Sequence, residues 1–401
     1  MKNIYVDYNA TTPLDEEVRQ VFIDALDLYA NGSSMHEAGR KVAKKIEEAR
    51  QQLADFINCD ASELVFTSGG SESNNTIFQT MASPDVFSTQ KFSRLYENRK
   101  MIITSQIEHP CVLQSAKALE RRGFNVVFLP VDSKGYVDAK KYEELLSASE
   151  KTSDPMKKVL LVSIMMANNE IGTVQDIKKL CDLAHKAGAL FHTDAVQAVG
   201  KIPVDVKDLD IDYLTISAHK IYGPKGVGAL FVKNGVPLVP LIKGGHQEHG
   251  ARAGTYNSPS IIAFGKAAEL AKKNLPEYMA HTKALRDKLC KKLFELIPNI
   301  HINGDIEKGI PNTADISFPG AEGEAILLHL DLKGVRASTG SACASGSLES
   351  SHVIVATGAG PELAHGSIRF SFGKNSNEDE VDYICEILPP IIKTLRSFST
   401  L

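Results

Sequence analysis

A basic excess is missing from this chain. Its 45 Lys and Arg are outnumbered by 49 Asp and Glu, for a formal charge of −4. With no clustered basic stretch either, no nucleic-acid partner is expected. Long apolar runs are missing too. No stretch approaches the length of a membrane span, and the chain opens on the strand-like Ile4-Tyr5-Val6-Asp7. A basic segment leading into an apolar run is absent there, so neither membrane insertion nor a secretory signal is expected, and the expected compartment is cytoplasmic. Paired cysteines are the third absence. Cys59, Cys111, Cys181, Cys290, Cys343 and Cys385 are scattered without a C-x-x-C spacing, which argues against a zinc site or a dithiol redox motif, and no resident metal is expected. Most of the six stand in apolar contexts, where cysteine acts as a small buried hydrophobe. Cys343 does not.

What is present is the composition of a globular enzyme-sized chain: 401 residues, 43% hydrophobic and 23% charged, with a mean hydropathy of −0.13. That length exceeds what one core usually serves, so two domains are expected. Apolar strand-length runs at 64–67, 101–104, 126–129, 159–163 and 190–193 alternate with helical patterns at 110–122, 139–149 and 176–186. Such alternation predicts an α/β fold whose mostly parallel sheet is covered by helices. Later the pattern changes to a helix over 276–296, short strands near His301 and Ala314, and a terminal helix over 378–396. The expected division is a large α/β domain over 14–275 and a smaller α+β domain made of 1–13 and 276–401. The Ser- and Asn-rich stretch 82–100 reads as a surface insertion.

Chemistry-bearing residues gather at strand ends, where ligands bind in open α/β sheets. Thr67-Ser68-Gly69-Gly70-Ser71 leads into a helix, so free N–H groups and the helix dipole there can meet a phosphate; a plain capped turn is the alternative. Asp194, in Asp194-Ala195-Val196-Gln197, is placed either to pair with a pyridinium nitrogen or to cap a helix. Lys220, in Ser217-Ala218-His219-Lys220, follows a strand and precedes Gly223-Pro224. It is therefore held in a defined place, as a Schiff-base lysine must be. Ser217 and His219 stand beside it, within reach of a phosphate. Asn168-Asn169-Glu170-Ile171-Gly172 offers amides that either fix a carboxylate or ring oxygen or satisfy their own turn. The run 337–347 consists almost entirely of small residues around one thiol, Cys343, and predicts a loop that presents the cysteine instead of packing it. Arg369, in an apolar strand-like stretch, has the fork suited to a carboxylate, or else is a structural ion-pair partner.

In chain order, the phosphate turn at 67–71, Asn168-Asn169-Glu170-Ile171-Gly172, Asp194-Ala195-Val196-Gln197 and Ser217-Ala218-His219-Lys220 resemble the pyridoxal 5′-phosphate (PLP) fold of the aspartate-aminotransferase type. Tyr8-Asn9-Ala10-Thr11-Thr12-Pro13, Arg252-Ala253-Gly254-Thr255 and Gly340-Ser341-Ala342-Cys343 narrow the resemblance to cysteine desulfurases of group I, the NifS/IscS-like branch. It runs from Tyr5 to about Arg396. The resemblance implies that Lys220 holds PLP and moves the Cα proton of L-cysteine, that Asp194 pairs with the ring nitrogen, and that Gln197 contacts the ring oxygen. Gly70, Ser71, Ser217 and His219 would serve the phosphate. Thr255 would reach the phosphate of the neighbouring subunit, which implies a homodimer. His109 would lie over the ring and act in proton transfer, with Asn169 contacting cofactor and substrate and Arg369 gripping the substrate carboxylate. Cys343 would take the sulfur as a persulfide, releasing alanine, and pass it to an acceptor such as an iron–sulfur scaffold protein, with transient ligation of a cluster as a further role. Iron–sulfur cluster assembly is the implied purpose. The alternatives are a selenocysteine lyase or another PLP enzyme of the same fold, or a scaffold that has lost catalysis. Two features depart from the family: the insertion over 84–98, and a short tail beyond Arg369.

Overall fold

A computed structural model describes residues 2–83, 96, 98–339 and 350–398. Most of the 82–100 stretch, and Cys343, lie outside the described residues. Among those described, a seven-stranded sheet runs in the order β2-β8-β7-β6-β5-β3-β4. Its strands are β2 (Leu64–Thr67), β3 (Met101–Ser105), β4 (Asn125–Leu129), β5 (Val159–Ser163), β6 (Leu190–Asp194), β7 (Tyr213–Ser217) and β8 (Gly228–Val232). Strand β8 is antiparallel to both its neighbours, while the pairs from β7 across to β4 are parallel. The connection over 218–227 is shorter than a parallel crossover requires, so β8 must return against β7.

Both faces of the sheet are covered, which is why its strands read as continuous apolar runs rather than alternating ones. Met101, Ile103, Phe191, Leu214 and Phe231 belong to one core. Ile102, Leu190, Tyr213 and Leu230 belong to a second core on the other face, packed by Ile77, Phe78 and Met81 of the helix Gly70–Ala82.

A separate body is built on an antiparallel sheet β12-β10-β9, from β9 (His301–Asn303), β10 (Thr313–Ser317) and β12 (Ser367–Ser371). Beside it the amino-terminal strand β1 (Ile4–Tyr5) pairs in parallel with β11 (Val335–Arg336), and Asp7 bridges Ser371. The helix Glu378–Phe398 contributes Val381, Ile384 and Leu388 to this body's core.

One helix crosses between the two. The sequence pattern predicts a start at Pro276, because proline favours the first helical turn. The structure instead has an unbroken helix Ser258–Leu296 with Pro276 inside it. Ile261, Phe264 and Ala267 pack into the large core, whereas Leu285, Leu289 and Leu293 pack into the small one. Burial at both ends outweighs the hydrogen bond that a mid-helix proline removes. The 275/276 boundary expected from sequence therefore falls within a helix.

Candidate active site

The carboxyl ends of β2, β3, β5, β6 and β7 all open onto one side of the large sheet. After β2, Gly69 adopts φ 152° and ψ −178°, a conformation essentially closed to residues with a Cβ. The helix Gly70–Ala82 starts immediately after it, and its first N–H groups have no carbonyl partner within the helix. Gly228, at the start of β8, lets this turn approach: a Cβ there would sit 2.7 Å from Gly69 Cα and 2.7 Å from the Ile216 carbonyl oxygen. Gly69, Gly70, Ser71, Ser217, His219, Thr11 and Lys225 line a cavity of about 510 Å³. All four residues expected at the phosphate thus share one concavity. Burial, with the Lys220 charge added, pushes His219 down to about 4, so at neutral pH its ring is uncharged.

After β6, Asp194 is buried and doubly held. Asn74 Nδ2 donates to its Oδ2 at 2.7 Å, and the Val196 N–H donates to Oδ1 at 3.0 Å. After β3, His109 caps the helix Pro110–Glu120, its Nδ1 accepting from the Cys111 N–H at 3.2 Å. The Cys111 Sγ lies 2.9 Å from the same nitrogen. Burial pushes His109 below its ordinary value, against the pull of Asp194 and helped by Lys220, and pushes the Cys111 thiol up to about 12.

After β7, Lys220 Nζ donates to the carbonyl oxygens of Asn9 at 2.5 Å and Ala10 at 2.8 Å. The Asn9 carbonyl also accepts from Gln197 Nε2 at 2.9 Å. Asn9 Nδ2 donates to the Asn169 carbonyl at 3.2 Å and to Thr313 Oγ1 at 2.8 Å. Of the two adjacent amides, Asn168 satisfies its own turn by accepting from the Glu170 and Ile171 N–H groups, while the Asn169 carbonyl accepts from Arg369 Nη1 at 3.0 Å. Arg369 is 2% exposed. Its Nη2 donates to Asp7 Oδ1 at 2.7 Å, and its buried Nε has no partner among the described residues.

One expected residue stands apart. Thr255 is exposed and is not part of the cavity wall. Its segment is tied to the phosphate turn through Arg252, whose Nε donates to Glu72 Oε1 at 2.9 Å. Sequence reasoning assigned no role to Asn9, Asn74, Lys201 or Cys111, although all four are built into the polar network.

Comparison with known proteins fits this arrangement. The profile of the class-V aminotransferase family matches residues 4–384. The chain belongs to that family. Within it, the relatives are cysteine desulfurases. Cysteine desulfurase IscS of Clostridium botulinum is 42% identical over 406 residues, covering 100% of this chain and 97% of that protein. Cysteine desulfurase 2 of Trichormus variabilis is 44% identical over 402 residues, covering 100% and 95%. Among solved structures, a NifS-like protein superposes with a TM-score of 0.87 at 37% identity, covering 98% of this chain and all of that one. SspA, solved in complex with cysteine, gives 0.77 at 34% identity over 92% of this chain and 99% of that one. Class-V aminotransferases are PLP enzymes, and the residues here suit that cofactor. A Gly-only turn and a helix start face the cavity for a phosphate, a buried carboxylate with two donors suits a ring nitrogen, and a lysine is held on the Asn9 and Ala10 carbonyls.

Proposed function

We propose that this class-V aminotransferase removes sulfur from L-cysteine with Lys220, His109 and Cys343 as its catalytic residues, and that Cys343 delivers the sulfur to an acceptor protein for iron–sulfur cluster assembly. The observation that carries the reading is the convergence of Lys220 Nζ and Gln197 Nε2 on one carbonyl, that of Asn9, on the strand-end side where Asp194 also lies.

Pyridoxal phosphate, when bound, supplies an electron sink for a substrate Cα that has lost its proton. Lys220 would hold it and, with substrate bound, would take the Cα proton. Asp194, whose two oxygens each accept a hydrogen bond from the protein, would hold the ring nitrogen. Gly70, Ser71, Ser217 and His219 bind the phosphate, and Gln197 donates toward the ring oxygen. Arg369 takes the substrate carboxylate, assisted by Asn169. His109 is neutral at physiological pH, and with Nδ1 committed to the helix cap its Nε2 is the atom free to carry a proton. The Cys343 thiolate attacks the substrate sulfur. An S–S bond forms, the Cβ–S bond breaks, and its electron pair stays on the carbon fragment, which gains protons and leaves as alanine.

A homodimer fits the exposed position of Thr255 and the exposed apolar side chains of Ile23, Leu26, Tyr29 and Met35. Among the described residues no helix is long and apolar enough to cross a membrane, and a cytoplasmic location is part of the proposal.

Cys343→Ala tests the assignment. It is expected to retain the visible absorbance of bound cofactor and to respond to L-cysteine, while forming no persulfide and releasing no sulfide. Undiminished sulfide release would overturn Cys343 as the acceptor. A faster reaction with selenocysteine that survives the substitution would point to the lyase alternative.

A further inference from the structure

Lys201 is 1% exposed, one of the most deeply buried charged side chains in the molecule. No carboxylate meets it among the described residues. Its Nζ donates to Asn9 Oδ1 at 2.8 Å and to Gln197 Oε1 in a closer contact. A buried ammonium facing only neutral groups is costly, which favours the neutral amine here. Burial, reinforced by the charges of Lys220 and Arg369, pushes Lys201 well below the ordinary lysine range.

The geometry determines how the neighbouring amides lie. The Asn9 backbone carbonyl can only accept, so the Gln197 atom facing it is Nε2 and the atom facing Lys201 is the oxygen. That carbonyl is also the acceptor for Lys220. Asn9 is fixed in the same way. Its Oδ1 takes both Lys201 Nζ and Asn312 Nδ2, the latter at 3.0 Å, and its Nδ2 is left for Thr313 and Asn169. Without Lys201, Gln197 Oε1 loses its donor, and the Asn9 carbonyl is left as the one contact among the described residues that still holds the amide.

We propose that Lys201 is a positioning residue that locks the Gln197 and Asn9 amides, so that Gln197 presents a hydrogen-bond donor to the cofactor ring. This rests on the reading of Lys220 and Gln197 as cofactor residues. Loss of Lys201 loosens the donor that Gln197 would hold toward the ring oxygen, and a ring oxygen with a weaker donor favours a proton on the Lys220 linkage.

The test is spectroscopic. Wild type, Lys201→Met and Lys201→Gln are loaded with PLP and their visible spectra titrated against pH. PLP affinity is measured separately on each apo-protein. Lys201→Met is expected to raise the spectral midpoint by about one pH unit, the size of one lost hydrogen bond to a charged group, and to weaken PLP binding. Lys201→Gln keeps a donor for Gln197 Oε1 and is expected to lie nearer the wild type. In a Gln197→Ala background, Lys201→Met should move the midpoint much less, because the amide it orients is gone. Should the methionine variant not fold, Lys201→Ala removes the same donor without adding apolar bulk beside Asn9. An unchanged midpoint in the donor-less variant overturns the inference while leaving the cofactor reading intact. A wild-type chain whose PLP spectrum is unaffected by Lys220→Ala overturns both.

Discussion

Asn74 Nδ2 donates to Asp194 Oδ2 at 2.7 Å, and because a carboxylate oxygen only accepts, the asparagine nitrogen has to face it. Its Oδ1 is left to accept from Thr215 Oγ1 at 2.7 Å. A helix residue, a strand residue and a strand-end acid are thereby fixed in one line. Asn74→Ala breaks that line beside a buried anion, where a hydrogen bond to a charged group contributes about 1.5–3 kcal/mol. The expected loss in affinity for PLP is about 10- to 100-fold, read by titrating apo-protein with cofactor. An affinity equal to wild type would mean that Asp194 does not depend on Asn74.

Gly228→Ala probes the close approach behind the phosphate turn. The new methyl would stand 2.7 Å from both Gly69 Cα and the Ile216 carbonyl oxygen, and those are backbone atoms with no rotamer to change. The turn must move. Weaker PLP binding by roughly tenfold or more is expected, with a smaller loss of thermal stability. Normal cofactor binding would show that the turn tolerates displacement.

Glu108 yields a pH prediction with a definite sign. It is fully buried beside His109, with Ser105 Oγ donating to its Oε1 at 2.6 Å and the Met165 N–H donating to both oxygens. Burial nonetheless raises it from 4.5 to about 8. Between those values the folded chain keeps a proton that the unfolded chain has released, so this group's contribution is full at low pH and falls as pH rises toward 8. Glu108→Gln has no such proton. The melting temperature of the variant relative to wild type should therefore increase steadily from about pH 4.5 to about pH 8. A pH-independent difference would rule out the raised value.

Arg50 and Glu248 form a two-bonded ion pair, with both contacts at 2.8 Å and side-chain exposures of 3% and 2%. The Phe66 N–H also donates to Glu248 at 2.8 Å, so the pair ties the helix Glu37–Ile57, strand β2 and the 247–250 turn together. Glu248→Gln leaves the buried Arg50 with only the exposed Glu47, 3.2 Å from its Nε, and is expected to destabilise the fold by about 3 kcal/mol. Thermal unfolding of the two proteins checks this. A change below about 1 kcal/mol would mean that solvent reaches Arg50.

The positions of Asp194, Lys220, Ser217 and Gly70 are legible in the sequence because each follows an apolar strand run, and strand ends face ligands in this kind of sheet. Asn74 and Lys201 are not legible in that way. Asn74 lies among polar neighbours, Lys201 reads as an isolated charge between Gly200 and Ile202, and each is held by contacts with segments far along the chain, such as Asn9 for Lys201. Strand β8 opens on a glycine and runs against its neighbours, so its place at Gly69 emerges only from the pairing. Pro276 misleads for the opposite reason: a strong local start signal lies inside a helix held by packing on both sides.

That shared helix bears on how such a chain can be rearranged. Ser258–Leu296 supplies a wall to each of the two cores, so neither is a detachable module, and a crossover at 275/276 would cut a helix in mid-run. Recombination between relatives should succeed only where the whole helix comes from one parent, together with the Ile261, Phe264, Leu285 and Leu289 faces it presents to the two halves.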